Sequence, residues 1–249
     1  MDYTPFIAIF VLTCYYSYRQ VVDPWLITAR YMNITYRQAT PADKDLIITT
    51  IVASEKGDYD IISYCAIFSI TEDEFRELVS NILDEEMEGQ EICYSNFIIA
   101  EVDGKTAATL GAFVEKRDGL SSNMIKMNML MFFLDRQKVL DAAPMISLMN
   151  ETSLPREEFA LQYEYGYILP EYRGHGLLRH LMDEHIRVNK ERGLKNRKMQ
   201  LIILENNIGA RKSHEKYGFV LTGRQQSQNP DIFKIMACDT KILMEKFID

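Results

Sequence analysis

One stretch constrains this chain more than any other: Ile168-Leu169-Pro170-Glu171-Tyr172-Arg173-Gly174-His175-Gly176-Leu177-Leu178-Arg179-His180-Leu181-Met182. An apolar run ends at a proline, two glycines follow, and an amphipathic helix begins at once. Glycines let backbone approach a ligand closely, and the first N–H groups of a helix lack internal partners, so the junction is built to hold a phosphate group. A ligand-free strand-to-helix turn has the same local pattern, so the reading depends on what surrounds it.

The surroundings alternate between strands and helices. Ile34 to Gln38 alternates as an edge strand should, and Thr40-Pro41-Ala42-Asp43 opens a helix with a cap residue and an early proline. Thr71 and Glu74 form a capping box. Phe75, Leu78, Val79, Ile82 and Leu83 then recur at the spacing of one apolar helix face. Phe97 to Val102, the turn Asp103-Gly104, and Thr106 to Val114 read as a hairpin, because Asp-Gly supplies the positive φ angles of a tight turn. Arg117 to Glu157 breaks the pattern and carries six of the 13 methionines, the mark of an adaptable apolar surface. Beyond it, Phe159 to Leu169 predicts a long strand, Gly176 to Arg192 a helix and Met199 to Leu204 a strand. Gly209 to Tyr217 predicts a short helix, and Phe233 to Phe247 a closing strand region.

Composition narrows the class. With 249 residues, 47% apolar and 26% charged, the chain can bury a real core without a disulfide or metal staple. A net charge of -8 opposes a protein that grips nucleic acid with its whole surface. Cys14, Cys65, Cys93 and Cys238 are scattered, as expected of reduced thiols in a cytoplasmic protein. The longest apolar stretch, Phe6 to Tyr16, falls short of the roughly 20 residues of a membrane-spanning helix, and its acidic start fits a signal peptide poorly. Nucleic acid and membranes are therefore not expected partners.

The glycine junction does not stand alone. Asn206-Asn207-Ile208-Gly209-Ala210-Arg211-Lys212-Ser213-His214-Glu215-Lys216-Tyr217-Gly218-Phe219 follows an apolar strand about 30 residues later. Together the two stretches resemble the GNAT superfamily of acetyl-CoA-dependent N-acetyltransferases. The first is similar to that family's pyrophosphate loop, Arg/Gln-x-x-Gly-x-Gly/Ala, through Arg173, Gly176 and the position of Leu178. The second is similar to its Asn-x-x-Ala...Gly-Phe segment, through Asn207, Ala210, Gly218 and Phe219.

The resemblance implies an α/β (α+β) fold: a mixed, mostly antiparallel central sheet flanked by helices, with a V-shaped splay between the central strands. It covers residues 33–249 as one domain with an insertion at about 117–157. Residues 1–32 then form an extension, either an added helix or a misassigned start. It implies an acyltransferase that moves the acetyl group of acetyl-CoA to a primary amine by direct attack in a ternary complex. The acceptor is expected to be a small molecule rather than a protein, and a homodimer is compatible with this reading. Cofactor contacts then fall on Tyr167, Ile168 and Leu169 of the long strand, on Arg173, Gly174, His175, Gly176, Leu177, Leu178 and Arg179 of the loop, and on Asn207.

Two catalytic candidates follow. An alkylamine with a pKa near 10.4 must lose a proton before it attacks. The resemblance puts a carboxylate base on the middle of the long strand, where Glu164 stands between Tyr163 and Tyr165. Period-two alternation groups it with Glu158, Gln162, Gly166 and Ile168. An ion-paired or solvated carboxylate is the competing role. His214 occupies the position where the family usually has a tyrosine that protonates the departing thiolate. Imidazole can donate a proton, though a surface histidine of a short helix needs no such role.

His175, His180 and His185 do not make a metal run, since five-residue steps turn a helix by about 140°. No metal is expected. Arg187 to Lys198, with six basic residues of twelve, reads as a solvated helix end, the competing role being attraction of the cofactor's phosphates or an anionic substrate. The competing function is a catalytically inactive acyl-CoA-binding sensor or interaction module. The acidic balance mildly favours a cationic acceptor such as a polyamine or aminoglycoside.

Overall fold

The computed structural model describes residues 33–57, 59–194 and 197–248. The N-terminal extension, with its apolar stretch and Cys14, lies outside the described residues.

Seven strands form one sheet among the described residues: β1 (Ile34–Gln38), β2 (Phe97–Val102), β3 (Lys105–Val114), β4 (Leu161–Ile168), β5 (Lys198–Leu204), β6 (Val220–Gln226) and β7 (Thr240–Phe247). Their spatial order is β1-β2-β3-β4-β5-β7-β6. Every neighbouring pair is antiparallel except β4 and β5, which run parallel at the centre. A parallel pair needs a long crossover, and α7 (Leu177–Glu191) supplies it.

Local chemistry sets these elements. Asp103 and Gly104, both at positive φ, close the β2–β3 hairpin. A capping box at Thr40 and Asp43 leads through a 3-10 turn into α1 (Lys44–Lys56). After α2 (Ser63–Phe68), Thr71 Oγ1 accepts from the Glu74 N–H at 3.2 Å, and the Glu74 carboxylate accepts from the Thr71 N–H at 2.7 Å, starting α3 (Glu72–Asp84). The expected apolar face of α3 is buried. Removing each such side chain from water contributes about 1.5–3 kcal/mol.

Two cores result. On one sheet face α1, α2 and α3 pack with Phe97, Ile99 and Tyr165. On the other, α7 buries Leu177, Leu181 and Met182 against Leu110, Leu161 and Met199. The methionine-rich segment folds into α4 (Ser122–Phe133), α5 (Arg136–Asp141) and α6 (Ala143–Asn150), and its Met129, Leu130 and Leu148 enter the first core.

The C-terminal region differs from expectation. β6 was not foreseen, because an exposed edge strand of sequence Val-Leu-Thr-Gly-Arg-Gln-Gln carries no apolar alternation. Residues Pro230–Lys234 form a 3-10 turn, and the closing strand starts only at Thr240. The long strand likewise starts at Leu161, leaving Glu158 outside it and exposed.

Candidate active site

The two parallel strands separate soon after they meet. β4 pairs with β5 only over Leu161–Met199, Gln162–Gln200 and Tyr163–Leu201, although both strands continue. The cause lies on the other side of β4, where Tyr163 pairs with Ala112 and Gly166 with Leu110. Glu164 and Tyr165 thus bulge opposite Gly111, and such a bulge bends the strand and raises its twist. Gly111 has no room for a side chain, since a Cβ there would lie 2.8 Å from the Phe97 ring.

The bulge resets which way side chains point. Tyr163 lies in the α7-side core, yet Tyr165, two residues on, lies in the core beneath α1 and α3. A Cβ on Gly166 would meet Leu110 and Leu178, and Ile168 packs on the α7 side as well. Gly166 and Ile168 therefore do not share a face with Glu164, as strict alternation had suggested.

The backbone edge of β4 faces the gap at alternate residues. Leu169 N–H donates to Ala107 O at 3.0 Å, and Tyr167 stands in register with Thr109, so these two turn their amides toward β3. Gly166 and Ile168 turn theirs toward the gap. Of the three expected strand contacts, Ile168 alone presents this edge. Gly166 N–H donates to Ser54 Oγ of α1, whose hydroxyl reaches Gly166 O, both at 3.2 Å. Arg173 Nε donates to Ile168 O at 3.3 Å. On the other lip, Tyr59 Oη donates to Asn206 O at 3.4 Å, so α1 and the residues after it touch both sides of the splay.

The glycine loop opens from the same end of β4. A 3-10 turn, Pro170–Tyr172, leads to Arg173, then Gly174 at φ +83° and Gly176 at φ +75°, and α7 starts at Leu177. A Cβ at either glycine would meet nothing within 4 Å, so the loop is open outward and the glycines are needed for conformation. Leu177 is fully buried and Leu178 turns toward Gly166, leaving the backbone amides of the first turn as the exposed donors. Arg179, 72% exposed, lies 5.9 Å over the Tyr217 ring and 3.9 Å from Asp183. This donor set, with Arg173 and Arg179, suits a diphosphate. The histidines are dispersed: His175 is half-buried in the loop, His180 is exposed, and His185 is buried with Nε2 2.9 Å from Leu110 O. Among the described residues no group of three potential metal ligands converges.

Across the gap, Asn207 caps α8 (Ile208–Tyr217), its Oδ1 accepting from Ala210 N–H at 3.1 Å. His214 lies edge-on to Phe219 at 5.5 Å, and its buried Nδ1 has no hydrogen-bond partner among the described residues. Burial lowers its pKa to about 4, so the ring is neutral near pH 7 and offers a hydrogen bond rather than an acidic proton.

On the α1 side lies a charged cluster that sequence reading missed. Lys126 of α4 pairs with Glu91, and Arg156 pairs with Glu164 and lies 3.9 Å from Glu91. Arg156 also donates to Ser122 Oγ at 2.8 Å and covers the Phe113 ring at 5.4 Å. Glu164 is therefore an ion-pair partner; burial raises its pKa while Arg156 opposes the rise. Glu55 of α1 is raised by burial to about 7, and Lys241 of β7 is lowered by burial. Of these only Glu164 was a sequence candidate; residues 55, 91, 126, 156 and 241 share no local spacing, so no motif could have announced them.

A sequence profile of the Acetyltransferase (GNAT) family matches residues 64–219, more than half of the chain and spanning both the bulged strand and the glycine loop. The chain belongs to this family. No curated protein sequence matches it significantly. Among solved structures, an N-acetyltransferase from Staphylococcus aureus Mu50 is similar at TM-score 0.60 and 16% identity, over 85% of this chain and 100% of that one. A variant of an agmatine N-acetyltransferase is similar at TM-score 0.51 and 11% identity, over 87% and 100%. Identities this low speak to the fold. The GNAT assignment gives the parts their order: splay, glycine loop and α8 lie around one gap. The charged cluster stands on the α1 side of the sheet, opposite α7.

Proposed function

We propose that this GNAT protein transfers the acetyl group of acetyl-CoA to a primary amine by direct attack in a ternary complex. The observation that carries the reading is the end of β4: its pairing with β5 stops at Tyr163, the backbone edge at Gly166 and Ile168 turns into the gap, and the open glycine loop follows within a few residues. The loop amides of α7, with Arg173 and Arg179, would hold the diphosphate. The free edge would pair with the pantetheine arm and orient the thioester carbonyl. Ser54 and Arg173 occupy that edge in the structure, so binding exchanges their hydrogen bonds for those of the substrate.

The amine must be deprotonated before attack. Glu55, its pKa raised to about 7, has no ion-pair partner among the described residues, which makes it the better proton acceptor; Glu164, held by Arg156, orders the site around it. His214, neutral and edge-on to Phe219, would donate a hydrogen bond to the departing sulfur.

The neutral His214 also supports a second reading, an acyl-CoA-binding module without turnover. Calorimetry with acetyl-CoA and assays of CoA release with amines separate the two. Binding with release supports transfer, binding with no release on any amine supports the module, and no binding at millimolar acetyl-CoA overturns both.

A further inference from the structure

Six charged side chains meet beside the splay, and four of them are ion-paired with one another: Glu91 with Lys126 and Arg156, and Glu164 with Arg156. Glu55 and Lys241 are left over. Among the described residues neither has an oppositely charged group within 4 Å, and the Lys241 ammonium rests 3.1 Å from the thioether sulfur of Met149, a weak acceptor. Each nonetheless acts electrostatically on the other. Both stay partly accessible although protein surrounds them, so a small ligand can reach either group.

Their placement is defined by the two lips of the splay. Glu55 follows Ser54, whose hydroxyl pairs with Gly166 at the free edge of β4. Lys241 stands in register with Leu204, the last residue of β5, just before Asn206. Enclosed without an ion pair, the carboxylate and the ammonium are each driven toward their neutral forms, and a ligand carrying the complementary charges would restore the charged ones.

We propose that Glu55 and Lys241 are the two poles of an acceptor site for a small amino carboxylate, Glu55 receiving its ammonium and Lys241 its carboxylate. This rests on the acetyltransferase reading and deepens it. The ammonium that Glu55 holds is the group that must lose a proton: the first N–H proton passes to Glu55, the C–N bond forms, the C–S bond of the thioester breaks, and the second proton on nitrogen passes to the departing thiolate, which leaves as the thiol of CoA. Lys241 fixes the far end of the acceptor, so it is a specificity-determining residue. A polyamine, which net charge alone favoured, would bring its second cation against Lys241 and Lys126.

Calorimetry on the full chain saturated with CoA tests this. The probes are glycine, β-alanine, 4-aminobutyrate and 6-aminohexanoate, each beside its amide, together with spermidine. One amino carboxylate is expected to bind at least about 100-fold more tightly than its amide, as a site built around a substrate's charged group requires. Lys241→Met should abolish that preference while leaving amide binding within about twofold, and Lys241→Arg should retain it. Comparable binding of amide or spermidine by the native protein overturns the proposal even if Lys241→Met fails to fold, as does equal weakening of both ligands in that variant. Acetyl-CoA binding without any amino carboxylate binding overturns the proposal alone; absence of acetyl-CoA binding overturns the reading beneath it.

Discussion

Glu55 shows how burial changes a residue's chemistry without changing its neighbours in sequence. Its carboxyl is raised from 4.5 to about 7, first by burial, with Lys126 and Lys241 opposing and Glu164 and Glu91 reinforcing the rise. Between those pH values the folded state binds more protons than the unfolded chain, so stability falls as pH rises from about 4.5 to 7. Glu55→Gln removes this term. Urea unfolding should find the variant gaining on the native protein by on the order of 2 kcal/mol between pH 4 and pH 8, after allowance for solvent screening. An identical difference at both pH values would mean an ordinary carboxyl.

The histidines carry the opposite sign. His185 and His214 are lowered from 6.5 to about 4 by burial, so their contribution is present above 6.5 and lost as pH falls toward 4. His214→Phe should therefore flatten part of the acid decline in thermal melts between pH 6.5 and 4. An unchanged decline would show that ring to be freely solvated.

At the scale of elements, the glycines separate into those that serve conformation and those that serve space. Gly176 precedes α7 at φ +75° with nothing near its missing side chain. Gly176→Val should cost about 1–2 kcal/mol through backbone strain alone, and weaken acetyl-CoA binding by displacing the loop amides. Gly209 also has open space around it but lies within α8 at no positive φ, so Gly209→Ala should stabilise by up to about 1 kcal/mol. Chemical denaturation of the two variants reads both signs directly. The bulge at Glu164–Tyr165 belongs to the same scale. It converts a uniform strand into one whose halves face different cores, and it ends the pairing that would otherwise close the gap.

At the scale of the molecule, the methionine-rich segment between β3 and β4 is part of the core it covers. Leu130 and Leu148 are 2% and 5% exposed and pack in the same cluster as α1 and α3. Leu130→Ala and Leu148→Ala should each cost about 2–5 kcal/mol in one cooperative transition. Phe132, 75% exposed on the same helix, should tolerate Phe132→Ser within about 0.5 kcal/mol. A separate early transition for the leucine variants would instead make these helices an appended layer.

Sequence by itself determined the elements whose signals are local: the Asp103-Gly104 hairpin, the capping box of Thr71 and Glu74 with its apolar face, and the strand-Pro-Gly-x-Gly-helix junction with the Asn207...Phe219 segment. Those last two were enough to point to the family. Each depends on backbone preferences or apolar spacing within about a dozen residues, which a sequence displays directly. Tertiary structure decided what depends on distant partners. The edge strand β6 exists because β7 lies beside it, and the side-chain reset of β4 comes from a bulge set opposite Gly111. Arg156 turns Glu164 into an ion-pair partner, and burial leaves His214 neutral. Glu55 and Lys241, 186 positions apart, act electrostatically on each other only because α1 and β7 are brought together by the fold. The chain's order carries no record of that proximity, and the low dielectric that changes both groups' chemistry arises only when the two cores close.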